Sequence, residues 1–344
     1  MVQQETMRCE WTKALLVIAA VGAGLNHCPS ARADLTTGWQ LTWSDEFNNG
    51  ASDLAPLTYT LGNPDGAPEL ETYTNSSQNV FVGPASDPSA PGGSVSALHI
   101  DTIYNGKTYT SGFVDTSQAF SQAYGLFEIR AKLPQAAGLW PAIWLMPENA
   151  PGQSSPAYGG WPGSGEIDIM ESGAAGTTNR VQGSVHSGTW ADPVAATAVY
   201  HPYGSAVPFS TSDWHTYGLE WGPDSISFFV DDQIYETLTP DSITKYINGI
   251  PSTTTQTSWV SPAGAPAGDT MAPFDQPFYL IMNMAVGGEY AGTPDLTKNT
   301  PYDMAIDYAR FYEPLSIEPT PEPAAPLIFV AAAAITRRRK SPSA

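Results

Sequence analysis

The chain has 344 residues, enough for one large domain or two ordinary ones, with 10 Trp, 16 Tyr and 12 Phe and a formal charge of −20. That charge excludes a nucleic-acid binder built on basic patches, because a phosphate backbone needs cations to neutralise it. The excess of acids is read as a solvated surface that aids solubility and leaves neutral ligands open.

The first feature along the chain is an export signal. Arg8 and Lys13 precede the apolar run "ALLVIAAVGAGL" (14–25), and "SARAD" follows, with Ala31 and Ala33 at A-x-A spacing. This predicts a secretory signal over 1–33, cleaved after Ala33; as a membrane anchor the apolar run is short. Both cysteines, Cys9 and Cys28, fall inside it, so the exported chain is expected to have no disulfide, no thiolate chemistry and no zinc–thiolate site.

Region 34–315 reads as all-β. "WQLTWSDEF" (39–47) and "ALHIDTIY" (97–104) are strand candidates, and "YGLFEIRAKL" (124–133) alternates with Phe127, Ile129, Ala131 and Leu133 on one face. "DSISFFVDDQIYETL" (224–238) predicts a hairpin about an Asp-Asp turn, and "FYLIMNMAVGG" (278–288) and "MAIDYARFY" (304–312) complete the set. No long stretch holds a helical period. Many strands punctuated by Gly and Pro predict a two-sheet sandwich or jelly roll. Stretches 148–164, 188–212 and 240–275 are rich in Gly, Pro, Ser or Thr and are expected to be loops that rim a cleft.

The chemistry sits in "GEIDIMES" (165–172), which carries Glu166, Asp168 and Glu171. In a plain strand, Glu166 and Asp168 share a face and Glu171 points the other way, into the core, where an unpaired charge is costly. One extra residue near Ile169–Met170, a β-bulge, returns Glu171 to the acidic face. The Glu Cα atoms then lie about 13 Å apart along the strand. Inward-leaning side chains bring the carboxyl groups to about 5–6 Å, near the separation used by retaining glycosidases. Asp168 between them would help hold one carboxyl protonated. On spacing alone, a solvent-facing acidic strand and a Ca²⁺ site made by the three acids remain open.

E-I-D-I-M-E matches the E-x-D-x-x-E signature of glycoside hydrolase family 16 in its bulged form. "LTWSDEFN" (41–48), "ELETYTNSSQNVFV" (69–82), "YTSGFVDTSQAFSQAYGLFEIRAKLPQAAGLWPAIWLMP" (109–147), "DWHTYGLEWGPDSISFFVDDQIYET" (213–237), "FDQPFYLIMNMAVGG" (274–288) and "AIDYARFYE" (305–313) resemble its laminarinase (endo-β-1,3-glucanase) branch, in order over 38–313. The resemblance implies a jelly-roll sandwich with a concave cleft and a retaining mechanism. Glu166 would be the nucleophile, Asp168 its assistant and Glu171 the general acid/base. It implies cleft tryptophans at Trp140 and Trp144, whose spacing puts both in the cleft or both in the core, and substrate contacts from His186 and Asn75. Trp161 and Trp190 would be rim aromatics, and Asn283 either reaches the cleft floor or simply sits in a sheet.

Two positions depart from the pattern: Ser76 stands where an Arg is common, and Gln182 where many relatives carry a His. Both bear on subsites and substrate, not on the chemistry. No cofactor is implied for catalysis. A structural Ca²⁺ held by Glu46 and Asp307 is implied on the convex face, beside the alternative that both are ordinary surface acids. The expected substrate is a β-1,3-linked glucan, met by a monomer, with mixed-linkage glucan, agarose and carrageenan as alternatives. A non-catalytic glucan-binding relative would typically lack the two Glu residues present here.

Beyond 315 a Pro/Thr-rich linker leads into "PTPEPAAPLIFVAAAAITRRRKSPSA", with Pro-Glu-Pro at 321–323, an apolar stretch and the basic cluster Arg337–Lys340. This resembles the PEP-CTERM sorting tail of certain Gram-negative bacteria. It implies a membrane sorting protease as a partner and delivery to the cell surface.

Overall fold

The computed structural model describes residues 35–315 apart from 65, 149–153, 156–157, 174–178, 190, 201–208 and 248. The export signal, the tail and Trp190 lie outside the described residues.

Alternation decides the architecture. Phe127, Ile129, Ala131 and Leu133 are each no more than 2% exposed. They lie on or just beyond the strand Gly125–Lys132, inside a twelve-stranded sheet. The Asp-Asp turn forms as expected: Ile226–Val230 and Gln233–Thr239 pair antiparallel about Asp231 (φ 49°) and Asp232 (φ 60°). Two successive positive φ values match the right-handed strand twist of a tight hairpin.

Facing this sheet is a seven-stranded one. Its members in chain order are β1 (Thr58–Tyr59), β2 (Phe113–Asp115), β3 (Leu139–Pro147), β4 (Glu166–Ser172), β5 (Val181–Thr189), β6 (Asp192–Tyr200) and β7 (Phe278–Val286). The spatial order is β6-β5-β4-β3-β7-β2-β1, all antiparallel. Leu98, Ile100, Met304 and Ile306 from the larger sheet meet Ile143, Leu145, Ile167, Val185, Leu280 and Met282 from the smaller in one core. The result is an all-β, two-sheet jelly-roll sandwich. Among the described residues, no helix is long and apolar enough to cross a membrane.

All three of the expected loops hold strands. Part of 188–212 forms β6, and part of 240–275 forms the hairpin Ser242–Ile247/Ile250–Thr255. Their Thr, Ser and Val content suits a half-exposed strand as well as a loop. The 148–164 stretch contains a short ribbon, Ser154–Ser155 against Gly159–Gly160.

The bulge in β4 is present and visible from both neighbours. On the β5 side, Asp168 pairs with Ser184 and Glu171 with Gln182, three steps against two. On the β3 side, Asp168 pairs with Trp144 and Met170 with Ile143, two steps against one. The extra residue lets Ile169 and Met170 both enter the core, at 2% and 0% exposure. Burial of each contributes about 1.5–3 kcal/mol. That outweighs one missed ladder hydrogen bond, worth a net of about 0.5–1.5 kcal/mol. Glycines in the left-handed region bracket the strand: Gly165 (φ +84°) and Gly173 (φ +108°), where a Cβ would lie 2.0 Å from the Leu139 carbonyl oxygen.

The calcium expectation meets two carboxylates that are already engaged. Arg310 grips Glu46 through both ends of its fork, at 2.9 and 2.8 Å, and holds that carboxyl below its usual range. Asp307 accepts instead from Arg130, at 2.7 Å, and Arg130 also reaches Asp87 at 2.7 Å. Each carboxylate already has its own guanidinium, and a dication would face those positive charges as well. The pair does not fit a calcium site as arranged.

Candidate active site

With the bulge in place, alternate residues of four adjacent strands share the outer face of the seven-stranded sheet. Glu166, Asp168 and Glu171 come from β4; Trp140, Ala142 and Trp144 from β3; Gln182, Ser184 and His186 from β5; Asn283 and Ala285 from β7. Most of them, with Phe113, Glu69 and Trp161, line a cavity of about 340 Å³. Trp161 is carried there by the 148–164 stretch.

Each of the two glutamates is held by a donor that cannot accept. Trp161 Nε1–H donates to Glu166 Oε2 at 2.7 Å, and Trp140 Nε1–H to Glu171 Oε1 at 2.8 Å. Asp168 lies between them, 4% exposed, with its Oδ2 accepting from Ser184 Oγ at 2.6 Å and bonded to His186 Nε2 at 2.9 Å. His186 Nε2 is also 3.7 Å from Glu166 Oε1. Gln182 Nε2 approaches Glu171 Oε2 at 3.4 Å.

The electrostatics follow from this crowding. Burial raises Glu166 and Glu171 well above the usual carboxylate range, and the Asp168 charge raises both further. Protonated His186 and the indole donors pull the other way without cancelling the rise. Burial opposes the imidazolium of His186. The Asp168 hydrogen bond and the surrounding carboxylates win, lifting it to about 10. These directions favour the charged imidazolium of His186 and disfavour two charged glutamates side by side. One carboxylate free to attack and one carboxylic acid free to donate is the pairing that glycoside hydrolysis requires.

Trp140, Trp144 and Trp161 all reach the cavity, with roles beyond stacking. Trp144 Nε1–H donates to Asn283 Oδ1 at 2.7 Å, and Asn283 Nδ2 donates to Tyr73 Oη at 3.0 Å. Asn283 therefore belongs to the cleft floor. The Trp140 ring packs against Tyr290, centroids 4.6 Å apart. His186 sits opposite Glu166 in register and bonds to Asp168, on the Glu166 side of the cluster. Asn75 is exposed in the turn after Glu71–Tyr73 and is not on the cavity wall. The buried asparagine of that turn is Asn79, which donates to the Asp101 carbonyl at 2.8 Å. Sequence reasoning missed Ser184 and Tyr290. For Ser184 the signal was there: it stands two residues before His186, so it shares that face. Among the described residues, Glu166, Asp168 and His186 are the only three side chains of ligating type close enough to share a metal ion.

Comparison with known proteins agrees with this geometry. Residues 89–276 match the model of glycosyl hydrolases family 16. A beta-glucanase of Rhodothermus marinus is 34% identical over 86% of this chain and 92% of its own. The glucan endo-1,3-beta-glucosidase A1 of Niallia circulans is 35% identical over 80% of this chain, which spans only 38% of that longer protein. The X-ray structure of the laminarinase from Rhodothermus marinus superposes with a TM-score of 0.57 at 34% identity, covering 80% of this chain and 97% of the other. The strand that bulges to gather three acids, the two sheets around it and these likenesses agree: the chain belongs to glycosyl hydrolase family 16 and is a glycoside hydrolase.

Proposed function

We propose that the enzyme cleaves internal β-1,3-glucosidic bonds of a laminarin-type glucan with retention of configuration. The carrying observation is the bulge, which puts Glu166 and Glu171 on one face with Asp168 between them. The names of the relatives support the substrate. Glu166 Oε1, left without an indole donor, attacks the anomeric carbon as the glycosidic C–O bond breaks. Glu171 gives its proton to the departing oxygen. In the second half, Glu171 takes a proton from water, the water oxygen bonds to the anomeric carbon, and Glu166 leaves as carboxylate. The faces of Trp140 and Trp144 offer stacking surfaces for the pyranose rings. The signal read over 1–33 and the linker and tail read over 316–344 support action outside the cell, at the surface.

Glu166→Gln and Glu171→Gln test the roles on laminarin, mixed-linkage glucan, agarose and carrageenan, with product sizing and NMR of the first anomer released. Laminarin should give β-anomeric oligosaccharides, and each variant should lose about 10²–10⁴-fold or more in kcat. Near-normal hydrolysis by either variant overturns the roles. Preferential release from another polymer overturns the substrate.

A further inference from the structure

The cluster contains a hydroxyl that the mechanism above does not use. Ser184 is 1% exposed, and its Oγ lies 2.6 Å from Asp168 Oδ2 and 3.2 Å from Glu171 Oε2. A serine hydroxyl has one proton and two lone pairs, so it donates to one of these oxygens only. The 2.6 Å contact has the length of an O–H donated to an anion. Asp168 Oδ2 also faces the His186 nitrogen at 2.9 Å. With two donors converging on it, that oxygen has no room for a proton of its own.

Oε2 of Glu171 then faces a lone pair of Ser184, and two lone pairs repel unless a proton lies between them. We propose that Ser184 is a positioning residue that holds a proton on Oε2 of Glu171, through the chain Glu171 O–H to Ser184 Oγ, Ser184 O–H to Asp168 Oδ2. The remaining contacts fit. Glu171 Oε1 accepts from the Trp140 indole, as a carbonyl oxygen does, and the Gln182 amide approaches the spare lone pair of Oε2 at 3.4 Å. At 3.2 Å the Glu171–Ser184 link is long, as catalytic hydrogen bonds are before substrate tightens them. The titratable groups facing Glu171 are Asp168 and Glu166 on its own strand and His186 on β5, with Glu69 on the cavity wall beyond. The assignment rests on the proposed acid role of Glu171 and adds what fixes the proton there.

The test uses Ser184→Ala and Ser184→Thr in the full chain, with Glu171→Gln alongside. Substrates are aryl β-laminaribiosides with a good (2,4-dinitrophenyl) and a poor (phenyl) leaving group. Losing the hydroxyl removes the acceptor that favours protonated Glu171, so Ser184→Ala should move the basic limb of kcat/KM to lower pH. It should also cost roughly 10-fold in kcat on the phenyl substrate and much less on the dinitrophenyl one, which needs little protonation. Ser184→Thr keeps the hydroxyl and should restore both. An unshifted basic limb with equal losses on the two substrates overturns the assignment, provided Glu171→Gln shows the leaving-group dependence of a lost acid. If Glu171→Gln shows none, the acid role itself falls, and the assignment with it.

Discussion

Trp161 donates its indole N–H to Oε2 of Glu166 at 2.7 Å, so a residue from an irregular stretch sets the orientation of the candidate nucleophile. An indole nitrogen only donates, so this contact favours the charged carboxylate and leaves Oε1 turned toward His186, 3.7 Å away.

Replacing Trp161 by Phe keeps a ring and removes the donor. The Glu166 carboxylate loses a hydrogen bond to its charged form, so its pKa rises and the acidic limb of kcat/KM should move to higher pH. A hydrogen bond to a charged group is worth about 1.5–3 kcal/mol, so a drop of about 10-fold or more in kcat/KM is expected at neutral pH. A pH–rate profile identical to wild type would show that the indole serves packing alone.

The buried acids make the fold sensitive to base. Glu171 has its folded pKa raised, chiefly by burial and then by Asp168. A raised value means that the folded chain holds its proton more tightly than the unfolded one. The resulting stability is complete below the unfolded carboxylate pKa and is lost as pH climbs through the folded value. Glu171→Gln mimics the protonated acid and does not titrate. It should melt close to wild type near pH 5 and above it near pH 9, by about 3 °C or more for a domain of this size. Differential scanning calorimetry across that range checks the sign; a gap that shrinks with rising pH contradicts it.

Glu46 and Asp307, each engaged by an arginine, predict indifference to calcium. Dialysis against EDTA, or addition of millimolar Ca²⁺, should leave the melting temperature unchanged within about 1 °C. A site filled at 100 times its Kd would add about 2.7 kcal/mol. A rise of several degrees with Ca²⁺ would mean that the Arg310 and Arg130 contacts yield to the ion.

The fold was legible wherever one face of a strand is apolar. Phe127, Ile129, Ala131 and Leu133 announce their strand by alternation, and Asp231-Asp232 its hairpin, because those signals are local. The parity conflict of Glu171 announced the bulge, since a buried unpaired charge has no cheaper remedy nearby. The edge strands at 242–255 were not legible. Both faces are largely polar there, so period two carries no contrast. The acids and the cleft tryptophans could be named in advance. The wiring among them could not, because it depends on register between strands far apart in sequence: Trp144 meets Asn283, 139 residues away, and Ser184 meets Asp168 only once β4 and β5 are aligned. The ion pair of Glu46 was hidden for the same reason, since its arginine partner lies 264 residues downstream.

Glu166 and Glu171 hang from one strand of seven residues, third from the edge of its sheet, with paired neighbours on both sides. No hinge or domain boundary runs between them. Their separation is therefore a property of the polypeptide backbone itself and is already set when the cleft is empty. An enzyme that assembles its reactive groups by closing has mobility to spend on the reaction. Here the backbone spacing is fixed by the sheet, and what adjustment the protein makes is left to its side chains.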